Sequence, residues 1–377
     1  MYEYETNKHR VKDILFIGIL IIVVFGGIIL IYDMLFRDTS EAVLEQKESN
    51  IKEVDINKEE KEENEIKDIT EIIEEVNKSI VGISKIKSNG TSIFLKNSTD
   101  DLGIGTGFIV SKNGYILTNW HVVGNKYSNC YVTLDNSKSY TGIVEWADKD
   151  LDLALVKINA IDLECANLGN SENIKIGQEI YAIGNPIGFE FQRTVTHGII
   201  SGLNRTIKLT DEEQEAYMED LIQTDATINN GNSGGPLINK KGEVIGVSTV
   251  KISDAEAIGF AMPINIVKPV IESFEKKGSF DEAYLGVFAY DKEVIPYLNF
   301  NINFESGVYV AAISKDGPAS KTGLKIGDVI TKIDDKEINK MSELRSYIYT
   351  KKPGEEINLT VLRNNKEYVQ SIALGKK

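Results

Sequence analysis

Histidine and cysteine are scarce in this chain of 377 residues, with three of the first and two of the second. His9, His121 and His197 form no metal-ligand cluster, and there is no His-Glu-x-x-His motif, which argues against a zinc hydrolase. Cys130 and Cys165 lack Cys-x-x-Cys spacing. Two separate half-buried thiols and a single disulfide between them both fit. The separate thiols are favoured, because no small core here needs stapling. A clustered basic face is also missing: the net charge is −15, which argues against nucleic acid as a partner. That acidity is uneven. Residues 38–75 hold 15 acidic and 5 basic side chains, a net of −10, so most of it belongs to one tail-like segment and says little about a substrate.

What the chain does have near its start is an uninterrupted apolar run, "ILFIGILIIVVFGGIILIY", residues 14–32. As a helix it would span about 28 Å, close to the hydrocarbon thickness of a bilayer. Lys8, Arg10 and Lys12 precede it, so residues 1–13 are expected in the cytoplasm and everything after residue 32 outside it. The run exceeds the usual core of a cleaved signal, and no small-x-small site follows in "YDMLFRDTS", so an uncleaved anchor in the cell membrane is expected. Residues 33–67, rich in Glu, Lys and Asn, read as a solvated stalk that buries too little apolar surface to fold. Ile66, Ile69, Ile73 and Val76 then fall at helical spacing, and "SIVGISKI" (79–86) switches to β-branched residues.

From residue 68 to 279 the chain is a series of short β-rich runs, among them "GTGFIVS", "GYILTNWHVV", "LALVKI", "EIYAIGNP" and "EVIGVSTV", separated by Gly, Asn and Asp. Such spacing predicts an all-β barrel or sandwich, closed by a helix at 264–278. Residues 280–377 form a second unit that mixes strands with a helix at 341–350.

Within the first unit, "TINNGNSGGPLI" (227–238) sets a serine in a Gly-x-Ser-x-Gly pattern. A serine hydroxyl attacks a carbonyl poorly unless a base takes its proton and a third group orients that base. Histidine suits the base role, since its ordinary pKa lies near neutrality. The α/β-hydrolase use of this pattern requires the order Ser, acid, His, and no histidine follows Ser233. The base is therefore His121 or His197. His121 sits in "ILTNWHVV", and Asp152 precedes the buried run "LALVKI", where a carboxylate can hold an imidazole in one tautomer. The order His121, Asp152, Ser233 is that of chymotrypsin-type proteases. The N–H groups of Gly231, Asn232 and Ser233 would converge on a developing oxyanion if the chain turns sharply at Gly231. Gly234 and Gly235 would let the following strand approach closely.

With "TNWHVV", "DLDLALVKI", "AIGNPIG", "TVTHGIIS", "QTDATINNGNSGGPL" and "IGFAMP" in this order, the chain resembles the HtrA/Deg family of serine proteases from about residue 68 to its C-terminus. The resemblance implies His121 as base, Asp152 as orienting acid, Ser233 as nucleophile and an oxyanion hole at Gly231 to Ser233. It implies a mainly β fold, with a chymotrypsin-like double β-barrel protease domain followed by a smaller α+β PDZ domain, after the N-terminal transmembrane helix. Asn230 departs from the Pro common in the family, and His197 keeps the reading of a loop residue. "YLGV", Tyr284, Leu285, Gly286 and Val287, resembles the carboxylate-binding loop of HtrA-type PDZ domains, where an extended peptide adds to a sheet edge.

Proteases of basic specificity keep an acid six residues before the serine. Here that position is Thr227, beside Ile228, so the pocket is expected to take small or medium aliphatic side chains. The resemblance further implies unfolded or damaged proteins as substrates, hydrophobic peptide C-termini as PDZ ligands, no cofactor and a homotrimer. The acidic segment 201–220 is expected to couple PDZ occupancy to the loop at 227–232. A chaperone-like or scaffold protein whose protease site rests inactive is the alternative reading.

Overall fold

Along Ser139–Asp148 inward side chains are buried and outward ones exposed or half-exposed, almost in strict alternation, as a strand with one face on a core requires. The same rule builds most of this chain. The structure, a computed structural model, describes residues 23–28, 30–31, 68–86, 102–184, 193–210, 215–229, 231–251, 256–298, 302 and 304–377. The chain divides into residues 1–66 and 67–377. In the first unit only 23–28 and 30–31 are described, as helix, and the rest of the anticipated anchor and stalk lies outside the described residues. No described helix is long and apolar enough to cross a membrane.

The second unit opens with α1 (Ile69–Asn77). Strands β1 (Ile80–Ile86), β2 (Leu102–Ser111), β3 (Tyr115–Thr118), β4 (Asn129–Thr133), β5 (Ser139–Asp148) and β6 (Leu153–Ile158) close a barrel in the order β1-β2-β3-β6-β5-β4. Ile83, Ile116, Val132, Val144 and Val156 fill it. A second sheet runs β11-β8-β9-β10-β13-β12-β7, and a β11–β12 pairing brings it back on itself. Its strands are β7 (Asn167–Leu168), β8 (Glu179–Gly184), β9 (Thr194–Thr210), β10 (Glu215–Thr224), β11 (Pro236–Asn239), β12 (Glu243–Lys251) and β13 (Gly259–Pro263). Ile180, Ile200, Ile222, Leu237 and Ile245 fill this barrel. A third apolar cluster, with Phe108, Leu117, Leu153, Ile183 and Val247, joins residues from both barrels.

After a one-turn α2 (Trp120–Val123), the next helix is α3 (Lys268–Lys277). It ends at Gly278, which adopts φ 68° and returns its N–H to the Phe274 carbonyl at 2.8 Å, a left-handed cap that suits glycine. Beyond it, β14 (Ala283–Tyr284) pairs with β21 (Gly375–Lys376). Strands β15 (Val287–Tyr290), β16 (Val308–Ile313), β17 (Val329–Ile333), β19 (Glu356–Arg363) and β20 (Lys366–Ala373) form a sheet, with β18 (Lys336–Glu337) on β17. The helix α4 (Met341–Thr350), at the bounds expected from sequence, buries Leu344 and Ile348 in that sheet's core. Glu343 caps its start, accepting the N–H of Asn339 at 2.8 Å. Tyr349 turns the other way and meets Trp146 and Phe280 edge-on, with centroids 6.3 and 5.4 Å away.

One sequence expectation is corrected here. His197 lies within β9, opposite Tyr181 and stacked on its ring at 4.8 Å, so it is a strand residue and not a loop residue. The described part of the acidic segment 201–220 is a paired extension of β9 and β10, with Met218 opposite Ile207. Cys130 is buried and Cys165 exposed, and both are free thiols.

Candidate active site

His121 is presented by α2, a single turn that follows β3 and stops at Gly124, φ 83°. Asp152 ends the tight turn that joins β5 to β6. There it adopts φ 52° and donates its N–H to the Lys149 carbonyl at 3.2 Å. The two segments are tied by backbone as well as by side chain. The Asp152 carbonyl accepts the Trp120 N–H at 3.1 Å and the buried Asn119 Nδ2 at 2.8 Å. Asp152 Oδ1 takes the His121 N–H at 3.0 Å, and Oδ2 lies 2.7 Å from His121 Nδ1. A carboxylate only accepts, so the imidazole proton belongs on Nδ1 and the Nε2 lone pair is left available. The His121 side chain is 44% exposed and that of Asp152 10%: one end of the pair meets solvent while the other is sheltered.

A third partner completes the carboxylate's shell. Thr249 Oγ1, on β12, donates to Asp152 Oδ2 at 2.5 Å, and the Thr249 carbonyl accepts the Ser233 hydroxyl at 3.4 Å. One residue of the second barrel thus touches both the acid and the serine. Sequence reasoning missed it, because a lone threonine in a β-rich run carries no motif.

Ser233 sits in the turn 231–234, buried to 9% exposure, with its carbonyl accepting the Thr106 N–H of β2 at 3.0 Å. The turn is pressed against the first barrel. At Gly234, φ 80°, a Cβ would stand 2.3 Å from the Thr106 carbonyl oxygen and 2.4 Å from Thr118 Oγ1. Only glycine fits both the backbone conformation and the space. The Asn232 N–H donates to the Asn229 carbonyl at 3.1 Å, closing the turn. Among the described residues no carbonyl takes the N–H of Gly231, φ 109°, or of Ser233. Thr106 Oγ1 also holds the Gly231 carbonyl. Asn230 lies outside the described residues.

Of the pocket residues, Thr227 is exposed, and its carbonyl accepts Asn232 Nδ2 and Thr196 Oγ1, each at 3.0 Å. Ile228 is buried against Gly259, where a Cβ would fall 2.4 Å from Ile228 Cγ1. In the C-terminal sheet, Leu285 is buried and Gly286 takes φ 79°. Their carbonyls accept the N–H groups of Ala319 at 3.1 Å and Ser314 at 2.9 Å. No described carbonyl takes the Leu285 or Gly286 N–H, and beside β15 no described strand follows on the side away from β16. Tyr284 and Val287 flank this loop as strand residues.

The Trypsin-like peptidase domain family matches residues 105–247, and the PDZ domain family matches residues 244–374. The second match reaches back into β12 and β13, which the structure places in the second barrel. Two Bacillus subtilis (strain 168) proteins, the serine proteases Do-like HtrA and HtrB, are 38% and 36% identical to this chain. Each match covers 82% of this chain, with 73% of the first relative and 71% of the second. A solved structure of the HtrA-type protease AlgW with tripeptide is similar at a TM-score of 0.60 and 30% identity, over 82% of this chain and 98% of that one.

Proposed function

Since the chain belongs to the HtrA family of serine proteases and is a serine endopeptidase, we propose that His121, Asp152 and Ser233 are its catalytic triad and that unfolded or damaged proteins are its substrates. The observation that carries this reading is the double contact of Thr249, which sets the acid of the His121–Asp152 pair and the serine hydroxyl on the same residue.

The mechanism follows from the donors. His121 Nε2 takes the Ser233 proton as Oγ attacks the scissile carbonyl, and returns it to the leaving amine. Asp152 keeps the proton on Nδ1 and stabilises the imidazolium that forms. The oxyanion is met by the N–H groups of Gly231 and Ser233. Ile228 buried against Gly259, with the uncharged Thr227 next to it in the chain, supports cleavage after Val, Ala or Ile. The Leu285 and Gly286 N–H groups would capture a peptide's C-terminal carboxylate while its last residues add to the free edge of β15. The protein acts outside the cytoplasm, anchored through residues 14–32, as a homotrimer and without a cofactor. PDZ occupancy acts on the loop 227–232 through the β9–β10 extension. The Ser233 hydroxyl engages the Thr249 carbonyl at 3.4 Å, a contact that favours a low resting activity.

The test is degradation of a chemically unfolded protein by the full chain and by Ser233→Ala, with and without a peptide ending in hydrophobic residues. Fragments from the wild type alone, more of them with peptide, are expected. Equal binding without cleavage by either form would leave the chaperone-like alternative standing.

A further inference from the structure

Asp148 lies at the end of β5, four residues before Asp152, and is buried to 4% exposure. Its two carboxylate oxygens have different tasks. Oδ1 accepts the N–H groups of Asp150 at 2.9 Å and Leu151 at 3.1 Å, an Asx-type turn that shapes the chain leading into Asp152. Oδ2 is held from the C-terminal domain: Arg345 Nη1 at 3.1 Å and the Tyr349 hydroxyl at 2.9 Å, both on α4, with Lys377 Nζ at 4.0 Å. Burial pushes the Asp148 carboxyl up, but Arg345, Lys377, the Leu151 N–H and the Tyr349 hydroxyl together bring it below its ordinary range. Leu151 and Tyr349 belong to one apolar cluster with Trp146 and Leu153, so the turn is gripped by packing as well as by charge.

This turn is the one that leaves Asp152 at φ 52°, a conformation that costs an L-residue energy unless its surroundings enforce it. A carboxylate displaced there loses its bond to His121 Nδ1. Resting on the triad reading above, we propose that Arg345 and Tyr349 of the PDZ helix are positioning residues for Asp152, acting through Asp148 and the turn it closes. The C-terminal domain then completes the active site by holding the catalytic acid from behind, independently of any peptide in its groove.

The test is a double-mutant cycle in the full chain, read with a short fluorogenic peptide amide that offers no C-terminal carboxylate to the groove. Arg345→Met is expected to lower kcat about tenfold while KM stays within about twofold, as loss of an orienting contact predicts. Arg345→Lys should recover most of the loss. In an Asp148→Asn background the same Arg345→Met change should cost little more, because both act on one path. Tyr349→Phe keeps the ring against Trp146 and removes only the hydroxyl contact. It is expected to lower kcat about threefold, and it carries the test if Arg345→Met does not fold. Unchanged kcat, a loss that appears only in KM, or full additivity with Asp148→Asn would each overturn the proposal. A wild type that neither turns over the peptide nor reacts with a fluorophosphonate would instead overturn the triad reading on which it rests.

Discussion

At the residue scale a few contacts around one carboxylate set the geometry of the site. Asp152 accepts from the His121 N–H, His121 Nδ1 and Thr249 Oγ1. Removing its charge in Asp152→Asn would place a donor against Nδ1 and favour the wrong tautomer, and a kcat loss of about 10⁴-fold is expected, as in other triads of this order. Thr249→Val preserves shape and the carbonyl but deletes one hydrogen bond to a charged group. Such a bond contributes about 1.5–3 kcal/mol, so kcat should fall about ten- to a hundredfold in steady-state assays while the fold survives. Gly234→Ala is a sharper case, because its Cβ would strike backbone at 2.3 Å in a φ that alanine resists. A lower thermal midpoint together with loss of activity is expected; retention of both would show that the turn yields. The pairing of His121 with Asp152 is legible in the sequence because order and neighbours mark both residues. Thr249 and Asn119 are not, since each acts through position in the folded barrels alone.

At the scale of elements, strands with one buried face and the helix Met341–Thr350 could be read directly, since alternation and helical spacing are local signals. The one-turn helix bearing His121 is too short to show a period. The run of Thr194–Thr210 as a single strand follows from pairing with β10, which a local pattern does not report. Between β10 and the C-terminal domain lies a seam of carboxyls. The Asp291 N–H meets Glu219 Oε2 at 3.4 Å, and Asp291 accepts the Met341 N–H. Burial, aided by the charge of Asp291, pushes Glu219 up to about 8. Burial likewise outweighs the Met341 bond and lifts Asp291 to about 7. The folded state therefore keeps protons that the unfolded chain has already released, and stability must fall as pH rises from the ordinary carboxylate range through 7 to 8. Thermal midpoints measured across that window should decline, and Glu219→Gln should make the decline shallower. A midpoint that rises over the same window would contradict the seam's assigned protonation.

For the whole molecule, the double barrel and the C-terminal sheet form one unit in which residues 197 positions apart, Arg345 and Asp148, share a bond. No sequence pattern announces that bond, because both residues look like ordinary surface charge until the domains are assembled. The full chain should pellet with membranes, resist alkaline carbonate and dissolve in detergent, whereas release by carbonate would count against an anchor at residues 14–32. The role of Ser233 as nucleophile, activated by His121 and Asp152, underlies every kinetic expectation. It is tested most directly by treating the full chain with a serine-directed fluorophosphonate and mapping the adduct by peptide mass. A single adduct on Ser233 is expected, absent in Ser233→Ala and strongly slowed in His121→Ala. An adduct on another serine, or labelling of Ser233 at the same rate without His121, would contradict it.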